Sequence, residues 1–440
     1  MAESHLTRHL LRAVAVGDLP PRVLVDLGWT HLLELCPECR REVAAWRDEQ
    51  KRSSCNYEST FAALPDMIAQ RSRQDEEERA VAERDFAELR RLSAIERRER
   101  VKLARRRFHS ARLGMLLLDQ ARQRVAADAE DSYLWAELAE MVAERSRDDS
   151  ARDVLLLAQV HCGNALRVMS NVRGADARFR QARALLRDHG AADTTVFAEV
   201  DWYEGALRRD QRRFEEAEGL LSRASMQYRM AGEHATAARP LLTLGLLYHE
   251  IGDNQSAIEA TELAMRSIPQ TADRRFFLSA RHNLALFVCE GGNPTEAAEM
   301  LRGDLPLYAD FPDAPTQMRL SWLKGKIAAG LDQTIEAEDE LRRARDGFLE
   351  LGIGYDAALA SLDLALLYSR QQRTGELKQL AEEIAPIFEA RDIHRETVAA
   401  LALFQRAAQQ EAVTAEAIGR LGQFLRESRN NPALHLRRPS

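Results

Sequence analysis

The chain has 440 residues and a formal net charge of −7, with 45% hydrophobic and 30% charged side chains. That balance supports a buried core and excludes wholesale disorder, and a pI near 6.0 gives no global pull toward nucleic acid. Only 13 prolines and 22 glycines interrupt a sequence rich in Ala, Leu, Glu and Arg, the composition of an all-helical protein.

No apolar run reaches the length of a membrane span, and Met1 to Leu11 carries His, Arg and Glu where a signal peptide needs an apolar core. The expected address is cytoplasmic, with no membrane partner. Lysine occurs only at 51, 102, 324, 326 and 378, so arginine supplies nearly all the positive charge, the usage of a GC-rich, bacterial genome. Five cysteines, at 36, 39, 55, 162 and 289, are too few and too scattered for a disulfide framework.

Residues 1–50 form a head that carries His31, Cys36 and Cys39 in the run His-Leu-Leu-Glu-Leu-Cys-Pro-Glu-Cys. A Cys-x-x-Cys turn presents two thiolates to one tetrahedral ion, an upstream helical His can add a third ligand, and His5 is the natural fourth, with His9 and Cys55 as substitutes. The order His5, Gly17-Asp18-Leu19, His31, Cys36-Pro37-Glu38-Cys39 resembles the zinc-binding anti-sigma (zinc-finger-like) fold. That resemblance implies a zinc cofactor and a sigma factor as partner. The sequence departs from the pattern by one extra residue between His31 and Cys36, which turns the His about 100° around a helix. The alternative is a metal-free helical hairpin in which Cys36 and Cys39 pack as small apolar groups.

Residues 51–82 are polar, with Ser53-Ser54, Pro65 and the acidic run Asp75-Glu76-Glu77-Glu78, and read as a connector. Residues 83–158 are helical without legible repeats: either degenerate repeats or a cap, with amphipathic stretches at Ala111–Ala126 and Tyr133–Glu144. Arg90 to Arg107 is dense in Arg and Glu; the interspersed Glu96 and Glu99 and the lack of aromatics favour a solvated helix face over a nucleic-acid surface.

From 159 to 428 the sequence repeats. Small residues recur every forty positions at Gly205, Gly245, Ala285, Gly325 and Ala365, followed twelve positions later by Ala217, Ala257, Ala297, Ala337 and, imperfectly, Leu377. In the clearest unit, Leu241, Leu244, Gly245 and Tyr248 mark one face of a first helix. Gly252 offers a left-handed end and Asp253 a cap; Ala257, Thr261 and Ala264 mark the second helix, and Pro269 stops it. Asn293-Pro294-Thr295-Glu296 is a helix start at the corresponding place one unit on. An earlier unit spans Gln159–Ala182, and residues 429–440 form a tail after Asn430-Asn431-Pro432.

These markers resemble the tetratricopeptide repeat (TPR) family, with Thr261 in place of the usual second-helix aromatic. The resemblance implies an all-α, right-handed superhelical solenoid of helical hairpins that begins after the small, zinc-binding helical head. A forty-residue period exceeds the TPR length, so the helices or the loops should be longer. In such a stack the first helix of each hairpin lines the groove, and the resemblance places Asn164, Arg167, Trp202, Tyr203, Arg209, Arg239, Thr243, His249, His282, Asn283, Arg319, Trp322 and Lys326 on it. This mixture of rings, amides and cations suits a peptide or protein partner. Trp202 and Trp322, at equivalent positions, alternatively pack between adjacent repeats.

No catalytic constellation emerges. His249-Glu250 begins a zinc-protease pattern, but Asp253 stands where the second His is needed. His161 and Cys162 are neighbours on a helix and point apart, Gly352-x-Gly354 has no strand before it, and no Walker motif or nucleophile elbow is present. The expectation is a non-enzymatic interaction scaffold. The alternative is a zinc-dependent transcription regulator whose repeat array senses a partner.

Overall fold

The computed structural model describes residues 37–50, 57–104, 107–125, 127–148, 150–189, 193–268, 273–389 and 415–428; among them every regular element is a helix. Contacts divide the chain between Ala87 and Glu88 into two units. The first contains α1 (Pro37–Gln50), on which Cys39 and Val43 are buried one turn apart, and most of α2 (Tyr57–Arg90). The stretch read as a polar connector is therefore helical from Tyr57 onward. Its polarity marks exposed helix faces, with i,i+4 bonds such as Gln74 to Glu78 (3.0 Å). Of the proposed zinc ligands only Cys39 is described; His5, His31 and Cys36, with His9 and Cys55, lie outside the described residues.

The second unit opens with α3 (Ala94–Leu103), whose start is a capping box between Ser93 and Glu96. Here the Arg-rich segment turns inward in part: Arg97 lies 3.7 Å over the Trp135 ring, while Arg100 pairs with Glu88 at 2.8 Å. Seven hairpins follow among the described residues. They are α4 (Ala111–Arg124) with α5 (Ala129–Ala143), α6 (Ala151–Val168) with α7 (Val172–His189), and α8 (Thr194–Asp210) with α9 (Phe214–Met230). Next come α10 (His234–Glu250) with α11 (Asn254–Ser267), α12 (Arg274–Glu290) with α13 (Pro294–Ala309), α14 (Ala314–Gly330) with α15 (Thr334–Glu350), and α16 (Gly354–Arg370) with α17 (Thr374–Glu389). The last described helix is α18 (Ala415–Ser428). Each hairpin packs on the next, which makes the unit a TPR-like helical solenoid.

The long period is taken up by helices rather than loops. Most helices from α8 onward have 17 residues, and three residues join them, so the backbone repeats every twenty positions as well as every forty. The mark of that half-period is a left-handed residue after α8, α9, α10, α12, α14, α15 and α16: Arg212, Gly232, Gly252, Gly292, Asp332, Gly352 and Gln372. Gly252 has φ +86° and Asp253 caps α11 by accepting from the Ser256 amide at 3.0 Å, as the sequence predicts. Asn293 precedes Pro294 at the start of α13, but its side chain makes no cap bond; the proline and the preceding turn set that start. Pro269 lies outside the described residues.

The small residues sit where first and second helices cross. A Cβ on Gly205 would fall 2.8 Å from Leu221, one on Gly245 2.6 Å from the Thr261 hydroxyl, and one on Gly163 2.9 Å from Phe179. Thr261 explains its own departure from the aromatic pattern: it is fully buried beside Gly245 and donates its hydroxyl proton to the Ala257 carbonyl (2.8 Å). The stretch without legible repeats contains one more hairpin of this kind, α4 and α5, with Gly114 against Val154 of α6.

Candidate functional site

The first helices α6, α8, α10, α12, α14 and α16 stand side by side, and near their carboxyl ends an ion-pair ladder crosses from each to the next. Arg167 reaches Asp210 (2.6 Å), Arg209 binds Asp210 (2.9 Å) and approaches Glu250 (3.6 Å), and His249 approaches Glu290 (3.5 Å). Lys326 then bridges Glu290 (2.9 Å) and Asp363 (3.0 Å). Burial works against charge on both Asp210 and Lys326, yet their partners prevail. Arg209 and Arg167 hold the Asp210 carboxyl low, and Asp363 and Glu290 hold the Lys326 ammonium high. Three cations that the sequence places in the groove, Arg167, Arg209 and Lys326, are thus engaged by the carboxylates of neighbouring repeats, and the His249 ring lies beside Glu290.

Other predicted groove residues divide the same way. Asn164 is buried and accepts from Arg167 Nε (3.0 Å), while Tyr203 is buried and stacked on Trp202 at 4.3 Å. Trp202 donates its indole proton to Thr243 (3.3 Å) and Trp322 donates to Asp363 (2.7 Å), each one repeat onward. Both tryptophans therefore lie between adjacent repeats. Arg239 pairs with Asp273 (3.0 Å) and covers the Phe276 ring.

His282, Asn283, Arg319, Trp322 and Lys326 come together around one cavity of about 270 Å³ between α12 and α14. Leu278, Leu286 and Leu323 supply its apolar wall and Tyr308, from α13, closes its side. His282 Nδ1 lies 2.7 Å from the Tyr308 hydroxyl. Burial, reinforced by the nearby Arg319 charge, lowers the His282 imidazole to about 4, so it is neutral at pH 7. Arg319 is exposed and, among the described residues, has no hydrogen-bond or ion-pair partner. A guanidinium unpaired among the described residues, an amide, a neutral imidazole and an indole around an apolar pit suit an apolar ligand that carries a carboxylate.

A buried polar cluster escaped the sequence reading. His161 Nε2 lies 3.0 Å from Glu199, and Arg122 donates to the same carboxylate oxygen (3.0 Å), tying α4, α6 and α8 together beneath Tyr203. Burial opposes the Glu199 charge, but hydrogen bonds and charges from His161 and Arg122 overcome it and hold the carboxyl at about 2. The signal available in sequence was Glu199 itself, at the period position where Arg239 and Arg319 stand. His161 and Cys162 do point apart, and the Cys162 thiol is pushed up to about 12 by burial. Among the described residues no group of His, Cys, Asp and Glu is arranged to hold a metal.

No family model matches the chain, and no curated protein does. Solved structures do match it in fold. A Rap protein complexed with Competence and Sporulation Factor superposes with TM-score 0.57 at 12% identity, covering 73% of this chain and 88% of that one. The apo form of RapI gives TM-score 0.51 at 12% identity over 68% and 85% of the two chains. At that identity the likeness is one of architecture. No described helix is long and apolar enough to cross a membrane.

Proposed function

We propose that this chain is a non-enzymatic regulatory scaffold that binds a peptide, or a peptide-like segment of a protein, along the face built by its first helices. The cavity between α12 and α14 is the anchor point. The observation that carries this reading is Arg319. The ladder cations Arg167, Arg209 and Lys326 each meet a carboxylate of their own chain, while Arg319, outside the ladder, is exposed beside an apolar pit with Asn283 and Trp322 at its rim. A ligand carboxylate fills the missing charge, an apolar side chain fills the pit, and the Asn283 amide has both donor and acceptor for a ligand backbone. A fold neighbour solved in complex with Competence and Sporulation Factor is consistent with a capture role for this architecture.

The test is affinity selection of a random synthetic peptide pool on the immobilised full-length protein, with Arg319→Glu in parallel. Enrichment of peptides with an acidic or free C-terminal group next to an apolar residue, lost in the variant, is expected. A pool that enriches nothing, or enriches the same peptides on both proteins, rejects the reading.

A further inference from the structure

The last repeat breaks the pattern of its predecessors. At three positions one helix face apart, the first helices read Glu199/Trp202/Ala206, Arg239/Leu242/Leu246, Ser279/His282/Leu286 and Arg319/Trp322/Lys326, and then Leu359/Leu362/Leu366. Polar or mixed faces give way to an all-leucine face on α16. A second cavity, of about 400 Å³, is walled on one side by Leu359, Leu362 and Leu366 and on the other by Ile418, Gly419 and Gly422 of α18.

Helix α18 is amphipathic, with Ile418, Leu421 and Phe424 buried and Glu416, Arg420 and Gln423 exposed. Those three buried side chains share one apolar cluster with Leu362, Leu364 and Tyr368, against which Leu359, Leu366 and Trp322 pack. Among the described helices α18 packs substantially on α16 alone. Among the described residues its ion pair, Arg420 to Glu416 at 3.9 Å, lies within the helix, and the contact with α16 is apolar.

We propose that the leucine face of α16 is a second docking site in the groove, one that takes an amphipathic helix, and that the chain's own C-terminal helix is its occupant. The occupant sits beside the anchor cavity: Lys326 lines both cavities, and Trp322 lines the first and packs on the cluster around the second. A docked α18 therefore sets where the open groove ends, and a partner helix of the same pattern must displace it. This site goes beyond the peptide reading and does not depend on it.

The probe is a fluorescein-labelled synthetic peptide with the sequence of residues 415–428, titrated by anisotropy into the full-length protein. The wild type, whose site is filled, is expected to bind it about tenfold or more weakly than Leu421→Asp/Phe424→Asp, in which buried charge expels the helix. Adding Leu362→Asp to that variant abolishes binding. Where the double variant loses its helical circular dichroism, Ile418→Asp serves the same purpose. Equal affinity for wild type and a folded released variant, or no binding to that variant, overturns the proposal. Arg319→Glu leaves this binding unchanged, so failure of the anchor-cavity reading shows up separately.

Discussion

Gly325 lies so close to Leu341 that a Cβ on the glycine would fall 2.7 Å from the leucine Cγ, nearer than side chains approach. The contact joins α14 to α15 and repeats at the other helix crossings, so the stack's spacing rests on atoms the sequence leaves out. Gly303 in α13 has nothing within 4 Å of its missing Cβ. Gly325→Ala should therefore lower stability by about 1–3 kcal/mol through overpacking, in spite of alanine's better helix propensity. Gly303→Ala should raise it by about 0.5–1 kcal/mol. Paired denaturant melts check both signs, and equal effects would mean that the crossing has room to spare.

The carboxylate of Glu199 serves two partners, the buried His161 on α6 and the partly exposed Arg122 on α4. Glu199→Ala leaves the buried His161 imidazole without its acceptor, while Arg122, partly exposed, keeps Asp119 at 2.8 Å, and a loss of about 1–3 kcal/mol is expected. Because pairing with His161 and Arg122 outweighs burial and holds the carboxyl at about 2, below its unfolded value of 4.5, its contribution is complete above that unfolded value. It is lost as pH falls from there toward 2. Acid titration of stability, wild type against Glu199→Ala, should show the wild type losing more.

The repeat, the crossings and the absence of strands among the described residues were legible because a small residue at a crossing has no substitute. Gly245 and Thr261 are tied by geometry and so appear as a pattern. The hairpin of α4 and α5 was not legible: Gly114 meets Val154 of the following helix instead of its own partner, which shifts the register of the markers. The candidate site was half legible. Position on a helix face identifies Arg167, Lys326 and Arg319 alike, but whether a carboxylate arrives from the next repeat depends on residues 36 to 43 positions away. Sequence spacing alone does not decide which cation remains free.

We propose that the head binds zinc through its Cys36-Pro37-Glu38-Cys39 turn. The Cys-x-x-Cys pair predicts stoichiometric zinc in protein purified without chelator, and Cys36→Ser/Cys39→Ser should abolish it, as measured by inductively coupled plasma mass spectrometry. Cys39 is buried on α1, so its replacement by serine also costs packing; metal content normalised to folded protein separates the two effects. Equal zinc in both proteins would leave the cysteines as apolar packing groups.

His282 offers a pH signature of the anchor cavity. Burial and the Arg319 charge lower its folded value to about 4 from 6.5, so the unfolded chain binds the extra proton first. Stability from this residue is complete above 6.5 and drains away as pH falls toward 4. His282→Gln, which keeps a polar group near the Tyr308 hydroxyl, should flatten that part of the stability profile while leaving pH 7.5 stability within about 1 kcal/mol. A bound carboxylate near Arg319 acts on the same equilibrium: by neutralising the guanidinium it raises the imidazole value and lets His282 take up a proton. Peptides selected on the cavity should therefore bind more tightly at pH 4.5, close to that value of about 4, than at pH 7.5 in the wild type, and with less pH dependence in His282→Gln. Identical pH dependence in the two proteins would place the ligand away from this imidazole.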